Sequence, residues 1–166
     1  MSINKWLELA CGAAEHRVRM AVWTKREETA SNATVLTGYA YDSQVRAGLG
    51  VLQVEVEELL RDASRLPRLS VGNRYYIADH MTKFIENAYQ EVLAEASASF
   101  DKRMVSNLAQ QYEQLRLGIL GSVVLWGEIE SQRHTDQVWT VVWDIMRMIV
   151  SAALGALATL LVTQVL

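Results

Sequence analysis

Apolar residues along this chain recur every three or four positions and almost nowhere in strict alternation. That spacing predicts helices and argues against strands. From Ser2 to about Ala30, the residues Ile3, Leu7, Ala10, Ala14, Val18, Ala21 and Val22 share one stripe. Lys5, Glu8, Glu15, Arg19 and Arg26 lie largely off it. The pattern predicts a first helix with Ser2 as its N-cap. Trp6 and Trp23 flank the stripe. A stripe of this kind packs a core or lies on a bilayer surface. The stretch Ser31 to Ser43, rich in small and polar residues, reads as a connection.

The second helix carries the cleanest pattern. Val45, Leu49, Leu52, Val56, Leu59, Ala63 and Leu66 alternate spacings of four and three, an a/d heptad seam. Glu55, Glu57, Glu58, Arg61 and Asp62 are expected on other faces. Pro67 ends the helix, because it has no N–H to donate and disfavours helical geometry at Leu66. The seam could pair within the chain or between chains, and periodicity does not choose.

After a turn from Pro67 to Asn73, the helical period resumes. It runs through Ile77, Met81, Phe84, Ala88, Val92, Ala96, Phe100, Met104, Leu108, Tyr112, Leu115 and Ile119. A continuous helix over that span would be about 65 Å long. The softest point is Ser97 to Asp101, where Ser99 or Asp101 could cap a new helix. Leu117 to Gly127 carries no charge but is too short for a bilayer span, which takes about 20 residues. It reads as a buried helix segment, with partial insertion in a membrane as the alternative. Gly118 and Ser122 would let another helix approach. Ser131 to Asp136 is polar and reads as a short joint, with Thr135 a candidate cap for the last helix.

The chain's end is different in kind. Its 16 basic and 19 acidic residues all lie at or before Arg147, and Met148 to Leu166 carries no charge. As a helix this segment would be about 28 Å long, close to the roughly 30 Å of a hydrocarbon core. Met148, Ile149, Leu154, Leu157, Leu160, Leu161 and Leu166 are its expected lipid-facing anchors. Trp139 and Trp143 precede it, four apart, and suit the headgroup zone. Arg147 can snorkel toward phosphates, and Asp144 can pair with it. Ser151, Gly155 and Thr159 form a small-residue face along which helices pack in lipid. A buried helix in a large assembly is the rival reading of this segment. The absence of any polar face argues against it. Arg133, His134 and Arg147 ahead of the span favour a body on the cytoplasmic or interior side. With the span at the chain's end, the arrangement resembles tail-anchored topology as an architecture, not as a family.

The expected organisation is therefore all-α. Residues 1–135 form an elongated, coiled-coil-like helical body, and residues 136–166 form a juxtamembrane segment and one transmembrane helix. Net charge is -3, so no general basic field attracts nucleic acid. The local basic cluster Arg17, Arg19, Lys25 and Arg26 is flanked by acids and reads as a solvated helix face. One cysteine, Cys11, excludes an intrachain disulfide and suits a buried thiol. Glu8 and Glu15 interrupt the apolar core a secretion signal needs. The sequon at Asn32 to Thr34 is therefore expected to go unused.

Candidate chemistry is sparse. His16, His80 and His134 are far apart and lack metal spacing with Cys11. Glu130 and His134, four apart, read as a surface pair. Gly48-Leu49-Gly50 lacks the third glycine and the strand of a phosphate loop. Glu86, Glu91 and Glu95 lack the Glu-x-x-His partners of a di-iron bundle. Tyr39, Tyr41, Tyr75 and Tyr76 suit packing or interface positions. No catalytic residue, metal or cofactor is expected. The leading expectation is a structural membrane protein whose body self-associates or organises a complex beside the bilayer, as in a virion membrane or a multisubunit membrane assembly. A pore-forming or lysis effector and a tail-anchored adaptor for a soluble partner are the alternatives.

Overall fold

The computed structural model describes residues 2–31, 38–66, 70–97 and 111–133, together with positions 135, 139, 140, 142, 143 and 147. The chain divides into two compact units, Met1–Gly127 and Glu128–Leu166. The protein is all-α, with no strand among the described residues. Helix α1 spans Ile3–Ser31, α2 spans Gly38–Ser64 and α3 spans Val71–Ser97. A fourth helix, α4, covers residues 111–133.

Local chemistry sets the ends. Ser2 caps α1, its hydroxyl accepting from the Lys5 amide at 3.4 Å. Ser70 caps α3 in the same way, at 3.2 Å from the Asn73 amide. The turn expected to reach Asn73 therefore stops at Ser70. Beyond Ser64, the Arg65 and Leu66 amides reach back three residues to Asp62 and Ala63, tightening the last turn of α2 ahead of Pro67. Gly38 to Ser43, read from sequence as connection, is the first turn and a half of α2. Ala40 and Tyr41 are wholly buried, and Arg46 bonds both oxygens of Asp42, at 2.8 and 2.9 Å. Tertiary packing and an i,i+4 ion pair override the loop-like composition.

Cross-helix pairs fix the topology of the first unit. Arg17 pairs with Glu55 and Thr29 with Gln44, so α1 and α2 are antiparallel. Arg19 meets Glu91 and Arg26 meets Glu95, so α1 and α3 are parallel. Tyr112 meets Asp42 and Trp126 meets Ser64, so α4 runs with α2. The result is an up-down-up-down four-helix bundle. The apolar period from Ile77 to Ile119 is thus shared by two helices that fold back on each other, with Arg116 reaching Glu86. The reversal falls between Ser97 and residue 111. Phe100, Met104 and Leu108 lie outside the described residues.

Helix α2 touches all three others. Val45, Leu49, Leu52, Val56, Leu59 and Ala63 of the heptad seam are buried, and Leu66 is half-buried beyond the helix end. They share one core with Leu7, Ala14, Val18 and Val22 of α1, Ile77, Met81, Ile85 and Val92 of α3, and Tyr112, Ile119 and Val123 of α4. The seam is filled from within the chain. Gly48 marks the closest approach. A Cβ there would stand 2.6 Å from Val22 Cγ2 and 2.9 Å from Val92 Cγ2, so only glycine lets three helices meet at that level.

Candidate interaction surfaces

Among the described residues, polar groups that cross between helices include three clusters besides the Thr29–Gln44 and Ser64–Trp126 bonds. The basic residues of α1 lie on an exposed to half-exposed face, where they are ion-paired. Arg17 forks onto Glu55, Arg19 bonds Glu15 and Glu91 at 3.1 Å each, Lys25 bonds Glu28 at 2.7 Å, and Arg26 reaches Glu95 at 3.5 Å. Glu55, expected on an outer face, is buried, because its carboxylate receives both donors of the Arg17 fork. The second cluster centres on Arg116, which contacts Glu86 and Glu113 and lies 5.6 Å from the centre of the Tyr89 ring. Its hydrogen bonds hold the Glu113 carboxyl below the usual range. In the third, the Tyr112 hydroxyl donates to Asp42 at 3.0 Å while its ring meets Tyr41 edge-on at 5.9 Å. Burial, and then the bond to Asp42, push the Tyr112 phenol well above its ordinary value.

Two hollows of about 360 and 390 Å³ follow one another between α1 and α3. Val18, Val22 and Val92 line the first, and Cys11, Phe84 and Ala88 line the second, with Glu15 at the rim of both. The Cys11 thiol is pushed up to about 11, first by burial and then by the Glu15 charge. It is a poor nucleophile at neutral pH. His80 stacks on Tyr76 at 5.9 Å. No group of three or more potential metal ligands occurs among the described residues.

Helix α4 has two apolar faces. Tyr112, Ile119, Val123 and Trp126 are buried, and the Trp126 indole donates to Ser64 at 2.8 Å. Leu117, Val124 and Leu125 are exposed at 48%, 64% and 57%. Leu117 to Gly127 is therefore only half the buried segment its composition suggests. Nothing lies within 4 Å of a Cβ added at Gly118 or Gly121, so neither glycine serves a close approach inside the bundle.

In the second unit, Trp139, Trp143 and Arg147 are helical and exposed, and Val142 beside them is exposed too. The polar joint expected at Ser131 to Asp136 is helical through residue 133. Thr135 bonds back to the Ser131 carbonyl at 3.1 Å, a bond within a helix and not a cap. Glu130 pairs with Arg133 at 3.0 Å. The anchor residues Met148, Ile149, Leu154, Leu157, Leu160, Leu161 and Leu166 lie outside the described residues, as do Ser151, Gly155 and Thr159. Among the described residues no helix is long and apolar enough to cross a membrane. No protein-family model matches the chain, and no curated protein or solved structure matches it either.

Sequence reasoning did not find the Arg17–Glu55 fork, the Asp42–Tyr112 bond or the role of Gly48. For Gly48 a signal existed. It sits between Val45 and Leu52 on the seam face, where a missing side chain implies a close neighbour.

Proposed function

We propose that this chain is a helical scaffold held to a membrane by Met148–Leu166, with its four-helix bundle on the cytoplasmic or interior side. The observation that carries the reading is the absence of any charge over those nineteen residues, while every charged residue of the chain lies at or before Arg147. Such a segment matches the thickness of a hydrocarbon core. The exposed Trp139 and Trp143 support it, because two indoles four residues apart share one helix face and favour the headgroup zone. Arg147 continues that face toward the span. Arg133 and Arg147 favour the cytoplasmic or interior side for the body. The bundle's role is structural: it assembles with copies of itself or gathers a partner beside the bilayer.

Membrane fractionation with an alkaline carbonate wash tests this, comparing the full chain with a version ending at Arg147. Retention of the full chain in the pellet and release of the shortened one is the expected result. Release of both would make Met148–Leu166 a helix buried in protein and overturn the reading.

A further inference from the structure

We propose that the groove between α1 and α3 is a docking site for a basic amphipathic helix of a partner protein. Three hollows of about 390, 360 and 250 Å³ follow one another along it. The first and second share Glu15 and Ala88, and the second and third share Arg19 and Glu95, so they form one channel. Its walls run in the same direction, because α1 and α3 are parallel. One wall extends from Glu8 to Trp23 and the other from His80 to Glu95, each about 22 Å at the rise of a helix. That is about four helical turns. An elongated occupant matches the channel, whereas a compact small molecule would fill one hollow of it.

Charge selects the occupant. The floor is apolar, with Cys11 and Phe84 at one end, Val18 and Val22 in the middle, and the exposed Met20 and Trp23 at the other end. A helix laid along it would bury an apolar stripe of its own. The walls are acidic. Glu8 and Glu15 on α1 and Glu91 and Glu95 on α3 line the groove, against Arg19 and Lys83. With Asp79, which pairs with Lys83, and Arg26, which pairs with Glu95, five carboxylates still face three cations. Ion pairing does not hide them. Glu15, Glu91 and Glu95 keep 41%, 47% and 41% of their side chains exposed, and Glu8 is exposed too. Lysines or arginines flanking the apolar stripe of an incoming helix therefore meet carboxylates on both walls.

The same excess of negative charge disfavours anionic headgroups. A second copy is also a poorer match. The basic cluster of α1 that it could offer is held by its own bundle, Arg17 by Glu55, Arg19 by Glu91 and Arg26 by Glu95. For its setting beside a bilayer the proposal rests on the scaffold reading, and it names the class of partner the bundle gathers.

The test uses the full chain in phosphatidylcholine nanodiscs and two fluorescent peptides of about four helical turns. One is an amphipathic helix of leucine and lysine, and its twin carries glutamate in place of lysine. Fluorescence anisotropy should show the lysine peptide binding well above empty nanodiscs, and the glutamate twin not binding. Bound lysine peptide should slow alkylation of Cys11 several-fold, because that thiol lies on the floor. Glu8→Lys should weaken binding several-fold. Gly12→Trp should abolish it by filling the groove, at a position where an added Cβ meets nothing within 4 Å. Circular dichroism checks that each variant keeps its helicity, and if Gly12→Trp loses it, Glu8→Lys decides. Equal binding of the two peptides would overturn the proposal. So would binding that the variants leave unchanged, which places the peptide on lipid or on another face. Absence of binding overturns it too, whether a second copy or the chain's own residues fill the groove. A carbonate wash of the chain in vesicles reports the anchor separately. If the chain washes off, the titration is repeated without lipid, so failure of the anchor and failure of the groove are read independently.

Discussion

Helices α2 and α4 each carry a series of large apolar residues, and they use it in different ways. In α2 most large apolar residues face another helix, Tyr39 and Val54 excepted, and even a carboxylate, Glu55, is buried. In α4 one face is equally buried, yet Leu117, Val124 and Leu125 stand in the open. The difference lies in position more than in composition. With neighbours on three sides, α2 can bury whatever geometry supports, including an acid held by Arg17. With the described helices of the bundle on one side only, α4 has a second apolar face that no described residue buries. Apolarity thus stabilises the fold in α2, while in α4 part of it lies exposed.

The comparison is sharpest for truncations. Leu52→Ala, at a wholly buried position of α2, should cost about 2–5 kcal/mol through lost burial and a residual cavity. Leu125→Ser on the outer face of α4 should change stability by only about 0.5 kcal/mol. Denaturant titration of the full chain, followed by circular dichroism, compares them. Similar losses for both would mean that α4 is covered within its own chain.

Crowding around α2 gives the next largest effect. Gly48→Ala should cost about 1–3 kcal/mol, because Val22 and Val92 are β-branched and cannot swing away. Gly50→Ala, two residues on and open, should stabilise by roughly 0.5–1 kcal/mol from helix propensity alone. A thermal melt of each variant reads the sign directly.

A polar change follows. Arg17→Ala leaves the Glu55 carboxylate buried without its fork and should cost about 1–3 kcal/mol. Glu55→Gln in that background should recover part of the loss. A double-mutant cycle on urea midpoints measures the coupling.

The smallest effect joins the two helices. Tyr112→Phe removes the bond to Asp42 at a cost of about 0.5–1.5 kcal/mol. The Tyr112 phenol is raised in the folded state. Its contribution is therefore fully present below the unfolded value of 10.0 and is lost as pH rises through the folded value. Tyr41 and Tyr89 are raised in the same direction by burial. Urea midpoints at about pH 8 and about pH 11 should fall less steeply for Tyr112→Phe than for the parent.

Much of the fold was legible in the sequence, for reasons particular residues make plain. The seam from Val45 to Ala63 could be read because any partner that covers an a/d stripe buries the same residues. The reversal between α3 and α4 was only partly legible. The apolar period continues through it with neither glycine nor proline, and only Ser97 to Asp101 hinted at a break. The start of α2 at Gly38 was hidden because its driving force, Tyr41 against Tyr112, joins positions far apart in sequence. Glu55 misled for the same reason, since an acid reads as exposed until its arginine is found on another helix. Of the candidate surfaces, Trp139 and Trp143 were visible as a spaced pair. The outer face of α4 was not, because an uncharged run does not say which of its sides the bundle takes.

The lone cysteine has a consequence for kinetics. Cys11 is 6% exposed and lines the hollow between α1 and α3 beside Phe84 and Ala88. An alkylating reagent therefore reacts mainly with molecules in which the first helix has lifted away. When reclosing is faster than alkylation, the observed rate is that of an unfolded thiol multiplied by the fraction open. A simple labelling time course thus reports the fraction of molecules in which α1 stands open, without any engineered probe.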